Sequence, residues 1–175
     1  GALMSPVFVG AFHLGGTIVR AVASVPEPIG LSLQARIGFI DGPKNPEILR
    51  TRARLNMLQM AVAVMGSLCV AIFGISIQIF DLRDGVAVLS KILIVQSLIP
   101  TLVALGNIGL YRYISQQPGA KAHLWVSLVG TVILAALTIL GAKVGDIVIL
   151  AAVITLYEAG VACVYMILIC ISRHK

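Results

Sequence analysis

Charge-free apolar runs recur along this chain at a length that suits a bilayer. Residues 57–80, MLQMAVAVMGSLCVAIFGISIQIF, are 24 consecutive residues without a charge, more than the roughly 20 that carry an α-helix across a hydrocarbon core about 30 Å thick. Residues 92–111, ILIVQSLIPTLVALGNIGLY, form a second run, which extends back to residue 86 with Lys91 placed to snorkel toward the interface. Pro100 sits in its middle and predicts a kink, because proline removes one helical hydrogen bond and frees a carbonyl. A third run covers 124–142, with Trp125 where an interfacial aromatic belongs. The fourth, 147–171, holds one charge, Glu158, the twelfth of its 25 residues. Short turns between the runs imply antiparallel neighbours. The expected fold is therefore an all-α integral membrane protein, an up-down four-helix transmembrane bundle with spans near 57–80, 86–111, 124–142 and 147–171.

Residues 7–25, VFVGAFHLGGTIVRAVASV, are apolar but include His13, Arg20, Gly10, Gly15 and Gly16. The segment is a marginal span, and the favoured reading is a helix lying in the interface or under a partner. PEP at 26–28 and DGPKNP at 41–46 are turn chemistry. Two parts are thus expected, an N-terminal interfacial or extramembrane segment over 1–56 and the bundle over 57–175.

Composition narrows the class. Hydrophobic residues make up 59% of the chain and charged ones 11%, with a mean hydropathy of +1.03. An average soluble domain is about 25% charged, so too little polar surface is available here for a soluble fold. The net charge of +6 would raise nucleic acid in a soluble protein, but the charges lie between apolar runs and read as topology signals. With four spans, Arg36, Lys44, Arg50, Arg52, Arg54, Arg112, Lys121, Arg173 and Lys175 fall on one side, nine against the three of Arg83, Lys91 and Lys143 on the other. The positive-inside rule then puts both termini on the cytoplasmic or matrix side. Arg50, Arg52 and Arg54 serve that topology and are also placed to contact an anionic lipid such as cardiolipin.

Glu158 is the strongest pointer to a site, because a carboxylate at mid-span costs several kcal/mol, on the order of the penalty for any unpaired buried ion, unless it is paired, hydrogen-bonded or protonated. Ala151, Thr155, Glu158, Ala162 and Tyr165 share one helical stripe, and such stripes of small and polar residues face protein. Comparable stripes run through Gln59, Ala63, Ser67 and Ala71, through Gln96, Pro100 and Asn107, and through Ser127, Thr131, Ala135 and Thr138. All four are expected to converge on the interior, with Asn107 and Gln96 as partners of Glu158. The bland reading, a carboxyl that locks packing, is preferred to a proton or cation site, because transport pathways display several ionisable residues at depth and the four spans display one.

Cys69, Cys163 and Cys170 lie inside apolar runs as small packing residues, and His13, His123 and His174 form no ligand spacing, so no metal is implied. The sequence offers no phosphate-binding glycine loop, nucleophile elbow or acid and base pair, so an enzyme is not expected. No cofactor is implied beyond a bound phospholipid such as cardiolipin, and no small-molecule substrate or nucleic acid. Gly1 in place of Met fits processing or a scar over 1–3. The functional expectation is a non-catalytic accessory subunit of a larger membrane complex, of the respiratory or ATP synthase type in the mitochondrial inner membrane. Its partners are then lipids and other membrane subunits. The alternative is a small transporter or channel-forming protein that uses Glu158.

Overall fold

The computed structural model describes residues 6–37, 46–80, 84–114 and 119–172. Seven helices account for nearly all of them: α1 Pro6–Ser24, α2 Glu27–Ile37, α3 Pro46–Ile79, α4 Asp84–Gln96, α5 Ile99–Ile114, α6 Gly119–Val144 and α7 Ile147–Ser172. No strand occurs among the described residues. The expected turn at 41–46 lies, but for Pro46, outside them, as do Lys44, Arg83, Arg173 and Lys175 of the charge count.

Five segments are long and apolar enough to cross a membrane, namely Pro6–Ser32, Ile48–Ile79, Val86–Tyr111, His123–Gly141 and Ile147–Ile171. The last four coincide with the spans read from the sequence, and the first makes the count five where four was expected. The difference lies in how α1 sorts its residues. Ala11, Gly15, Val19 and Ala23, at successive fours, form a buried face, while His13, Thr17 and Arg20 point outward. Polar content that argues for the interface when averaged over the segment is confined to one side, leaving the other free to pack. At Gly15 the approach to α4 is so close that a Cβ would lie 2.9 Å from the Ile92 side chain.

The core has two apolar layers. Ala11, Ile92, Ile147 and Ala151 form one, and Val19, Val70, Leu93 and Ile99 the other. The first layer joins the opening turns of α1 and α7, whereas the far end of α7, at Tyr165 and Ile169, packs beside Gly109 near the end of α5. The beginning of α1 and the end of α7 therefore lie at opposite ends of the bundle, where a four-span path had put the termini together. The nine-to-three charge bias survives, because residues 1–5 carry no Lys or Arg.

The second expected span is broken in two. Pro100 has no N–H to return to Gln96, and α4 ends there, with the chain turning through Ser97 and Leu98 before α5. Neighbouring helices take up the freed groups. The Thr101 N–H donates to Ser67 Oγ on α3 at 3.2 Å, and the two hydroxyls lie 2.8 Å apart. On the other side, Thr155 Oγ1 of α7 donates to the Val95 carbonyl at 3.2 Å, sharing its proton with Ala151 O at 3.1 Å. Ser67→Ala and Thr155→Val should each destabilise the fold by about 1–3 kcal/mol, the cost of stranding a buried backbone group. Unfolding in mixed micelles measures it, and two silent substitutions would rule out this account of the break.

α6 is peripheral and rests mainly on α7. Gly145, with φ of 77°, turns the chain between them in the left-handed region that glycine adopts freely, and the Asp146 side chain caps α7 by accepting from the Val148 N–H at 2.8 Å. Two expectations change accordingly. The α6 stripe does not converge on the interior, since Ser127, Thr131 and Ala135 are exposed and Thr138 is half-buried. The cysteines are likewise exposed, so they do not pack inside the chain. The three other stripes do turn inward, with Gln59, Ala63, Ser67, Gln96, Pro100, Ala151, Ala162 and Tyr165 buried.

Candidate functional site

The α5 and α7 helices make the most extensive pairing in the bundle, and glycine on α5 brings them together. A Cβ at Gly109 would sit 2.9 Å from that of Tyr165, and one at Gly106 would meet Ala162 at 3.7 Å. Beside this contact, residues of α5, α6 and α7 enclose in part a cavity of about 190 Å³. Glu158 lines it, together with Asn107 from α5, His123 and Ser127 from α6 and Tyr165 from α7. At one end His123 Nδ1 and Tyr165 Oη lie 2.6 Å apart, with Ser127 Oγ 3.5 Å from the same nitrogen. Tyr165 is held in place by burial, being 3% exposed.

Along α7, Tyr165 is seven residues beyond Glu158, which is about 10 Å of helix. His123 is the first residue of its apolar segment and Glu158 is mid-way along its own. The cavity thus runs from one end of the bundle to its middle. Below Glu158 the way is closed by the two apolar layers, whose satellites include Val103 and Ile154.

Three of the five residues expected at the site, Glu158, Asn107 and Tyr165, do line one cavity. The other two belong to the helix break. Thr155 is engaged with Val95 and Ala151, and Gln96, 2% exposed with its Oε1 unpartnered, is the last residue of α4 and does not line the cavity. Nor does Glu158 make a direct hydrogen bond or ion pair with any described residue, contrary to the partner expected of Asn107 or Gln96; it faces the cavity instead. His123 is the residue that sequence reasoning missed, while Ser127 is the one member of the expected α6 stripe that reaches the cavity. The signal for His123 was present, a polar side chain four before Ser127 at the entry of the third span, where the helix puts the two on one face.

The arginine ladder also separates. On α3 a spacing of two residues rotates Arg52 about 200° from Arg50, while Arg54 returns to within about 40°. Arg50 and Arg54 are exposed together and Arg52 is half-buried apart from them. Between α6 and α7 lies an open apolar groove of about 550 Å³, lined by Gly130, Gly160, Trp125, Ile133 and Leu156. Among the described residues no three His, Cys, Asp or Glu side chains gather as a metal site. No protein-family model, curated protein or solved structure matches the chain.

Proposed function

We propose that the chain is a membrane-spanning, non-catalytic accessory subunit of a larger complex in the mitochondrial inner membrane, of the respiratory or ATP synthase type. The observation that carries this reading is the outer face of α1. His13, Thr17 and Arg20 lie on it, exposed, at spacings of four and three, and Val19 beside Arg20 belongs to the middle layer of the core. Thr17 satisfies itself on the His13 carbonyl at 2.8 Å. The guanidinium of Arg20 has five donors, and although its charge reaches Glu158 of α7, it makes no hydrogen bond or ion pair with a described residue. Hydrocarbon offers those donors nothing, and arginine at the centre of a lone span costs roughly 2.5–3.5 kcal/mol. A neighbouring subunit with an acceptor at that depth removes the cost.

Topology follows from the charges, with the basic end of the bundle, where α7 ends, facing the matrix and the start of α1 facing the other side. The compartment is supported by that bias and by Arg50 and Arg54, whose shared exposed face suits the paired phosphates of cardiolipin. Alkaline extraction and subcellular fractionation test insertion and compartment. Native sizing after mild detergent tests the complex, for which migration well above 18.4 kDa plus micelle is expected. A free single chain would end the reading.

A second reading, a small transporter or channel-forming protein, is favoured by the cavity and by the helix broken beside it, since discontinuous helices are tolerated at depth where they line protein or water.

A further inference from the structure

We propose that Glu158 is a proton-exchange site open to one face of the membrane only, the face on which α7 ends, and that the cavity between α5, α6 and α7 is its half-channel. The inference rests on the membrane-spanning part of the preceding reading and is independent of any partner subunit. The carboxylate is at mid-span, unpaired by any described residue, and borders a space of about 190 Å³. At about 30 Å³ per water that volume holds roughly six. At about 2.8 Å per hydrogen bond, a file of about three would bridge the roughly 10 Å between Glu158 and the His123–Tyr165 pair. Every polar side chain lining the cavity lies at the level of Glu158 or on the side of α7's end.

The opposite path holds the polar groups of the helix break, Gln96, Ser67, Thr101 and Thr155, and is then closed by apolar packing. Ile99, Leu93 and Val19 occupy the level just below, and Ile92, Ile147 and Ala11 the next. A proton leaving the solvent at α7's end passes along the cavity water and joins a Glu158 oxygen, forming one O–H bond and neutralising the carboxylate. On release it returns the same way, because the two apolar layers close the other side. His123 and Tyr165 stand at the mouth, where the imidazole accepts from or donates to the phenol according to its tautomer.

The groups that act on Glu158 are few. From α1 the positive charge of Arg20 reaches it, from α6 His123 shares its cavity, and on its own helix Tyr157 and Tyr165 flank it. The α5 residue at the cavity, Asn107, does not titrate, and Lys91 of α4 lies beside Ile92 at the level of Ile147, about three helical turns below.

The test is infrared difference spectroscopy on the full-length protein in vesicles, with orientation fixed by labelling the C-terminal end and the pH jumped on one side at a time. A protonated-carboxyl band that follows the pH on the side of α7's end, and is lost in Glu158→Gln, is the expected result. Glu158→Asp, which keeps the acid and moves the band, provides the assignment if the glutamine variant does not fold. Ser127→Leu fills the cavity from an exposed position, and should keep the band while slowing its response. A band that answers to the opposite face, or to neither, overturns the proposal, as does unchanged exchange in Ser127→Leu. Alkaline extraction of the same vesicles shows separately whether the chain spans the membrane.

Discussion

Gly109→Leu is expected to destabilise the fold by about 3 kcal/mol or more. The first added carbon would lie 2.9 Å from the Tyr165 Cβ and 3.5 Å from its backbone carbon. Backbone on a packed helix cannot swing aside as a side-chain tip can, so α5 and α7 would have to separate along their most extensive contact. Overpacking of this kind typically costs 1–3 kcal/mol, occasionally more. Moving Tyr165 also breaks its hydrogen bond to His123, worth roughly 1 kcal/mol. Gly160→Leu is the control, because a Cβ there meets nothing within 4 Å and it faces the groove beside α6. Unfolding in mixed micelles should leave Gly160→Leu close to the wild type and lower Gly109→Leu sharply. Equal effects would mean that the α5–α7 approach is not as described.

How much of this was legible in the sequence follows from which signal each feature depends on. Long apolar runs are set by composition alone, and 57–80, 124–142 and 147–171 appear as helices over nearly those residues. The kink at Pro100 was legible for the same reason, a missing N–H, although its depth was not. Two full residues leave the helix because Ser67 and Thr155, from other helices, supply the lost bonds. On α1 the average polarity did not reveal a two-faced helix, whose buried side is Ala11, Gly15, Val19 and Ala23 at successive fours. Pattern reading failed on the α6 stripe because polar spacing shows which residues share a face and not which neighbour that face meets. At the site, Glu158, Asn107 and Tyr165 could be found as polar groups at depth. That they meet across a cavity bordered by His123 depends on where α6 packs, which is a tertiary fact. Which of the three arginines share a side follows from the helical period, since residues two apart on a helix do not.

Arg20→Leu is expected to release the protein from its complex while leaving its own fold intact. Arg20 is exposed, meets Glu158 only through the longer-range attraction of their charges and makes no hydrogen bond or ion pair with a described residue, and its neighbour on the buried face, Val19, is untouched by the change. A leucine there is also better solvated by hydrocarbon than a guanidinium, so the isolated bundle should be at least as stable as the wild type in micelles. If a partner's acceptor satisfies Arg20 at that depth, truncation strands that acceptor and costs association about 2–5 kcal/mol, roughly 30-fold or more in the dissociation constant. Arg20→Lys keeps the charge and loses the fork of donors, so it should fall between the two. The measurement is native size in mild detergent beside the unfolding midpoint of the purified chain. Loss of the large particle with an unchanged midpoint is the expected pair of results. A large particle that persists unchanged in Arg20→Leu would show that this face meets no partner and that the guanidinium reaches the interface along its own stem, and the accessory-subunit reading would lose the observation on which it stands.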